Sequence, residues 1–292
     1  MQERTIRAQM LLGQEAMEKL QKSHVAVIGL GGVGSWCAEA LARSGIGAMM
    51  LIDRDTVGES NINRQLCAYT STVGRAKTDV MAEHLLDINP EIKVRCIGGH
   101  YEAAERERFF ADYDFVVDCI DLVACKIDLI MSCRERGIPI VSALGTGNKR
   151  DAQQLRLDDI SRTYGCTFAR VIRKELRARG VERHPVVFSP EEPMKPAQFE
   201  APPPGRRAVP GSLIWVPASA GMLLCQYVVS ALASPSSVSC ERGRGTASAM
   251  EGDWHKSFGG RKAASIPSAR EPNKTRRGIE PSPGCFLSSD EF

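Results

Sequence analysis

Residues 24–34 read HVAVIGLGGVG. The run HVAVIG (24–29) is short, apolar and closed by glycine, which marks a buried strand. Residues 34–43, GSWCAEALAR, then have the composition of a helix that stops at Gly45. Strand, glycine cluster and helix in direct succession decide the fold, because the same alternation continues outward. Residues 48–53 (AMMLID) form a second strand, and 74–88 a helix halted by Asn89-Pro90. Residues 92–97 form a third strand, 103–110 a short helix, 115–119 (FVVDC) a fourth strand, 122–136 a helix and 138–142 a fifth strand. Strands and helices alternating through short connections give an α/β chain. Its expected form is a Rossmann-like, doubly wound, mostly parallel sheet with helices on both faces.

After about residue 150 the alternation weakens. Residues 169–179 look helical and basic, 190–210 are rich in proline and read as a crossing loop, and 223–232 form a last core helix. Residues 213–233 (LIWVPASAGMLLCQYVVSALA) are about long enough to span a bilayer, but Pro217 and Gly221 favour a strand or loop leading into a buried helix. No stable membrane insertion is expected. From residue 234 Ser, Gly, Arg and Pro dominate without any period. The organisation expected is therefore one domain over 1–233 and a disordered tail over 234–292 that cannot bury enough apolar area to offset chain entropy.

The chain has 292 residues, of which 43% are apolar, enough for a sizeable core. Its net charge of +3 is too mild to argue for a nucleic-acid partner by itself. None of the ten cysteines has the C-x-x-C spacing of a zinc ribbon, and several fall inside the expected elements. Reduced, buried thiols fit a cytoplasmic protein. The first 20 residues mix charges with Leu and Met and form no signal peptide.

Glycines at 29, 31, 32 and 34 let the backbone turn tightly and approach a phosphate, whose charge the N–H groups of the following helix then hold. Asp53 ends the second strand, where a carboxylate accepts ribose hydroxyls. These features define a nucleotide site without choosing between NAD and ATP. The following segment favours ATP. Asn61-Ile62-Asn63-Arg64-Gln65 and Lys77 bring two cations to a region where a dinucleotide enzyme needs room for nicotinamide. Asp118-Cys119-Ile120-Asp121 places carboxylates at the carboxyl edge of the sheet, the expected place for a magnesium ligand.

Together, G-x-G-G-x-G, Asp53, N-x-N-R-Q, Lys77 and D-C-I-D resemble the ThiF/MoeB/HesA adenylating superfamily, relatives of the ubiquitin-activating enzymes. Within it the chain is most similar to the tRNA threonylcarbamoyladenosine dehydratases. The similarity rests on LLGQEAMEKL (11–20), GGVGSWCAEALARSGIGA (31–48), SNINRQ (60–65), DINPE (87–91), GTGNK (145–149) and PGSLIWVPASAGMLL (210–224). It implies ATP- and magnesium-dependent adenylation of a threonylcarbamoyl carboxylate on tRNA, followed by cyclisation with release of AMP. It further implies that Gly29, Gly31, Gly32 and Gly34 form the phosphate loop and that Asp53 holds ribose. Asn61, Arg64, Gln65 and Lys77 would bind phosphates, and Asp121 magnesium. A homodimer follows too, in which Arg7, with Arg4 second, reaches the partner's ATP. It names no sulfur-relay or electron-donor protein. The physics agrees: adenylation replaces an oxide leaving group by AMP and needs charge neutralisation more than an acid–base pair. No Ser-His-Asp arrangement is expected among the five histidines.

Two other activities fit parts of the pattern. An adenylyltransferase for a ubiquitin-like sulfur carrier commonly has paired C-x-x-C zinc ligands, which are missing here. An NAD-dependent oxidoreductase does not need Arg64, Gln65 and Lys77. Cys166 precedes an apolar helix start and reads as a packing residue more than a thioester-forming one. Arg170, Arg173, Lys174 and Arg177 share one helix face, which is either solvated or set against RNA phosphates.

Overall fold

The computed structural model describes residues 3–99, 101–197, 199 and 209–234. Seven strands form one sheet: β1 (His24–Ile28), β2 (Ala48–Asp53), β3 (Lys93–Gly98), β4 (Phe115–Asp118), β5 (Ile140–Ala143), β6 (Arg156–Asp159) and β7 (Pro185–Phe188). Their order is β3-β2-β1-β4-β5-β7-β6. All pairs are parallel except β6 with β7. The α-helices are α1 (Ile6–Leu12), α2 (Gln14–Lys22), α3 (Gly34–Arg43), α4 (Lys77–Ile88), α5 (Val123–Glu135), α6 (Thr167–Arg177) and α7 (Trp215–Ala233).

The strand period of two sorts the core into two layers. Val25, Val27, Met49 and Leu51 pack with α3, α4 and α7. Ala26, Ile28, Met50 and Ile52 pack on the opposite face, the side of α5 and α6. Both faces are covered, so the central strands are apolar along most of their length.

Four sequence expectations need correction. The pair β6 and β7 lies in the region where the alternation weakens; each is four residues long and β7 opens on proline, so neither carries a legible period. The helix expected over 74–88 begins at Lys77, because Gly74 turns at φ 87° and Ala76 makes an extended bridge with Thr56. The residues 103–110 form a 3-10 helix, Ala103–Phe109, not an α-helix. The last helix starts at Trp215, and Pro217 falls in its first turn, where the missing N–H has no intrahelical acceptor to lose.

Helix α7 is apolar enough to cross a membrane by length and composition. Here one face, including Ala220, Leu224 and Val228, is buried against α3 and α2. A Cβ at Gly221 would stand 2.6 Å from the Val33 carbonyl oxygen, so the two helices touch through backbone. Contacts divide the chain into Met1–Arg242 and Gly243–Phe292, and all described residues belong to the first. The tail expected over 234–292 lies, beyond Ser234, outside the described residues.

Candidate active site

Winding proceeds from β1 through β2 to β3, then reverses to β4 on the other side of β1. The crevice outside the carboxyl ends of β1 and β4 is therefore the topological switch point, where open α/β sheets bind ligands. The glycine loop fills one side of it. Gly29 has φ 92°, and a Cβ there would lie 2.9 Å from the Cys119 carbonyl oxygen; one at Gly34 would lie 1.8 Å from that of Gly29. Those two glycines are demanded by the protein's own packing. Gly31 is not, since a Cβ there would meet nothing within 4 Å. Its surface is open to a ligand, as close approach of a phosphate requires. Gly32 faces Pro217 and the stem of Arg64.

The Asp53 carboxylate braces the loop. One oxygen accepts from Leu30 N–H at 2.6 Å and the other from Asp55 N–H at 2.8 Å. Arg64 is brought to the same rim by Trp36 of α3, whose Nε1 donates to the Arg64 carbonyl oxygen at 3.1 Å. Its Nη1 donates to Ser60 O at 2.8 Å and Asn63 Oδ1 at 2.9 Å. The Asn61 side chain is turned into its own turn, with Oδ1 accepting from Gly58 N–H at 3.1 Å. Gln65 is only 8% exposed, and its Oε1 is the one buried side-chain polar atom without a partner among the described residues. An orphaned buried acceptor next to Arg64 fits a site completed by a ligand or water.

Lys77 opens α4 with its side chain 5% exposed and Nζ 3.0 Å from Asp55 Oδ2. Asp55 is a site residue that the sequence pattern does not announce. Asp121 lies exposed on the connection from β4 to α5. Among the described residues no cluster of three metal-binding side chains exists. A cation held here would draw most ligands from phosphate and water, which suits magnesium and a single carboxylate. Arg7 stands apart from this rim, exposed on α1, which packs chiefly on α2.

Below the rim lies a buried polar network. Asp118 Oδ2 accepts from Lys126 Nζ and from Ser142 Oγ, each at 2.6 Å, and its Oδ1 accepts from Ile120 N–H at 3.0 Å. Ser142 Oγ is also 2.8 Å from His184 Nε2. Since the single hydroxyl proton goes to Asp118, His184 Nε2 carries a proton and donates it to Ser142. Ser, His and Asp do meet in this chain, contrary to expectation. All three are buried and the carboxylate touches serine instead of histidine, so the trio is not a nucleophilic triad. Its contact with Ile120 fixes the backbone that leads to Asp121. Burial, with Asp118 second, pushes the neighbouring Cys119 thiol up to about 12, so it stays protonated against the glycine loop.

Cys166 caps α6, its sulfur accepting from Ala169 N–H at 3.4 Å. The basic face of α6 is narrower than its sequence suggests. Arg173 donates to the carbonyl and hydroxyl of Thr163, leaving Arg170, Lys174 and Arg177 exposed.

The sequence model of the ThiF family matches residues 3–258. The chain is 40% identical over 234 residues to a tRNA threonylcarbamoyladenosine dehydratase of Bacillus subtilis, covering 76% of this chain and 92% of that protein. It is similar to the crystal structure of Escherichia coli tRNA N6-threonylcarbamoyladenosine dehydratase in complex with AMP, with TM-score 0.72 and 34% identity, over 78% of this chain and 93% of that one. The ATP complex of the same enzyme matches with TM-score 0.71, 34% identity and the same coverage.

Proposed function

Since the chain belongs to the ThiF family, we propose that it binds ATP with magnesium at the β1–β4 switch point and uses it to dehydrate threonylcarbamoyladenosine in tRNA. It is a homologue of the tRNA threonylcarbamoyladenosine dehydratases. The observation that carries the reading is the glycine loop, open above Gly31 and flanked by Arg64, in a chain that matches the AMP- and ATP-bound enzyme over most of its length.

In this reading the substituent's carboxylate attacks the α-phosphate and pyrophosphate leaves. A nucleophile of the same substituent then attacks the activated carbonyl carbon, AMP departs, and the ring closes. One water is lost in the net change, its oxygen leaving on AMP. The loop N–H groups and Asp53 hold phosphate and ribose; Asn61, Arg64, Gln65 and Lys77 neutralise or orient the phosphates. Magnesium at Asp121 would supply further charge neutralisation at the phosphate oxygens. Arg170, Lys174 and Arg177 give tRNA phosphates a basic helix face. Free cysteines among the described residues and a tRNA substrate support a cytoplasmic location.

A homodimer completes the site. Arg7 shares α1 with Met10 and Leu11, which are 68% and 89% exposed. That apolar surface suits a second copy, which would carry Arg7 to the neighbouring nucleotide.

The test is nucleoside mass spectrometry after incubating the purified protein with ATP, magnesium and tRNA bearing threonylcarbamoyladenosine. The expected product has lost one water, with AMP formed in equal amount. Unchanged nucleoside despite bound ATP refutes the assignment.

A further inference from the structure

The loop after β5 leaves the sheet at the same carboxyl edge as the glycine loop. Within it Asn148 has φ 62°, the only positive φ outside glycine among the described residues. Such a conformation persists where the surroundings over-determine it. Asn148 N–H donates to Gly211 O at 2.7 Å, Gly211 N–H returns to Asn148 Oδ1 at 2.7 Å, and Met194 N–H donates to Asn148 O at 2.9 Å. The next residue, Lys149, is buried and donates to the Glu191 carbonyl. The Glu191 carboxylate accepts from Arg150 N–H and Asp151 N–H at 3.0 Å. Trp215 Nε1 closes the structure by donating to Arg150 O at 2.7 Å. An open cleft of about 560 Å³ results, lined by Arg150, Asp151, Glu191, Met194 and Trp215.

Trp215 is 50% exposed, although a tryptophan of a soluble core is mostly buried. Its one polar atom is already used within the chain, so what it offers a ligand is the π face of a fixed indole. The Arg150 side chain is exposed too, its Nη1 3.6 Å from Met194 Sδ. Unstacked RNA bases settle on indole and guanidinium planes. The position suits the reaction as well. Trp215 opens the turn whose Pro217 abuts Gly32, and Asn63 of the rim donates to Ser212 O at 3.0 Å.

We propose that this cleft seats the modified adenine of the RNA substrate, stacked on Trp215 beside Arg150; the proposal rests on the tRNA reading above. Trp215→Leu keeps apolar bulk and removes the stacking face. Its KM for modified tRNA is expected to rise about tenfold or more. Trp215→Phe recovers most of the loss, since any aromatic face stacks on a base, and the Kd for ATP stays within about twofold of wild type in both. Arg150→Gln raises KM less and flattens its salt dependence. A wild-type KM in Trp215→Leu overturns the subsite, as does an equal loss in the Leu and Phe variants or a parallel loss of ATP affinity. Should Trp215→Leu not fold, Arg150→Gln decides: an unchanged KM overturns the proposal and a raised one supports it. If the wild-type protein forms no cyclic product from the modified tRNA, the dehydratase reading falls and the subsite with it.

Discussion

Lys77 enters a nearly buried position as the first residue of α4 and meets a carboxylate, Asp55, that is half exposed. Removing the lysine therefore strands no buried charge, and the fold should survive. Lys77→Ala and Asp121→Asn are each expected to lower kcat/KM by about a hundredfold or more, with an unchanged melting curve. Turnover near wild type in both would remove their assignment to the phosphate rim. His184 makes a different kind of prediction. Burial, reinforced by the charges of Lys126 and Arg134, lowers its pKa from 6.5 to about 3. The folded protein holds it neutral while the unfolded chain protonates it, so stability falls as pH drops from 6.5 toward 3. The slope for this one group is at most about 1.4 kcal/mol per pH unit. His184→Gln retains a donor for Ser142 and abolishes that slope. Urea midpoints measured between about pH 7 and about pH 5 check it: equal slopes in variant and wild type contradict the buried neutral imidazole.

Among the elements, the seam between α3 and α7 decides whether the glycine loop is held in place. Gly221 lets α7 approach until a Cβ would sit 2.6 Å from Val33 O and 2.9 Å from Cys37 N, both in or beside the first turn of α3. Helix propensity alone favours Gly221→Ala by about 1 kcal/mol. The backbone contact overrides that preference, and the substitution is expected to destabilise the fold by about 1–3 kcal/mol through overpacking. Denaturant midpoints give the sign, and a stabilised variant would mean that the helices have room to part. ATP affinity should fall along with stability, because Pro217, one turn earlier on α7, abuts Gly32.

At the scale of the whole molecule, the question is whether one chain contains a complete site. Arg7 lies on α1 away from the rim of its own chain, beside exposed apolar residues. If it serves a neighbouring copy, mixing Arg7→Ala with Lys77→Ala protein rebuilds one whole site per mixed dimer. Free exchange at equal concentration then restores roughly a quarter of wild-type activity from two inactive parents. Exchange demonstrated by labelled subunits, with no recovery, rules out action across an interface.

What the sequence determined by itself was local. Gly29 and Gly34, at the two ends of the loop, are required by backbone contacts within the loop and with the end of the neighbouring strand, and the matching bounds of α3 and β2 follow from short-range periodicity and glycine stops. Asp53 and Asp118 were legible for the same reason: each closes an apolar strand that is itself readable. The tertiary structure alone decided what joins distant segments. Asp55 with Lys77, Asp118 with Lys126, Ser142 and His184, and Trp215 with Arg150 are meetings that no spacing encodes. Strands β6 and β7 belong with them, since four residues carry too little period to announce a strand until a partner supplies the hydrogen bonds. Burial, which sets the charge state of His184, is a property of the packed interior and exists only once both helix layers have closed on the sheet.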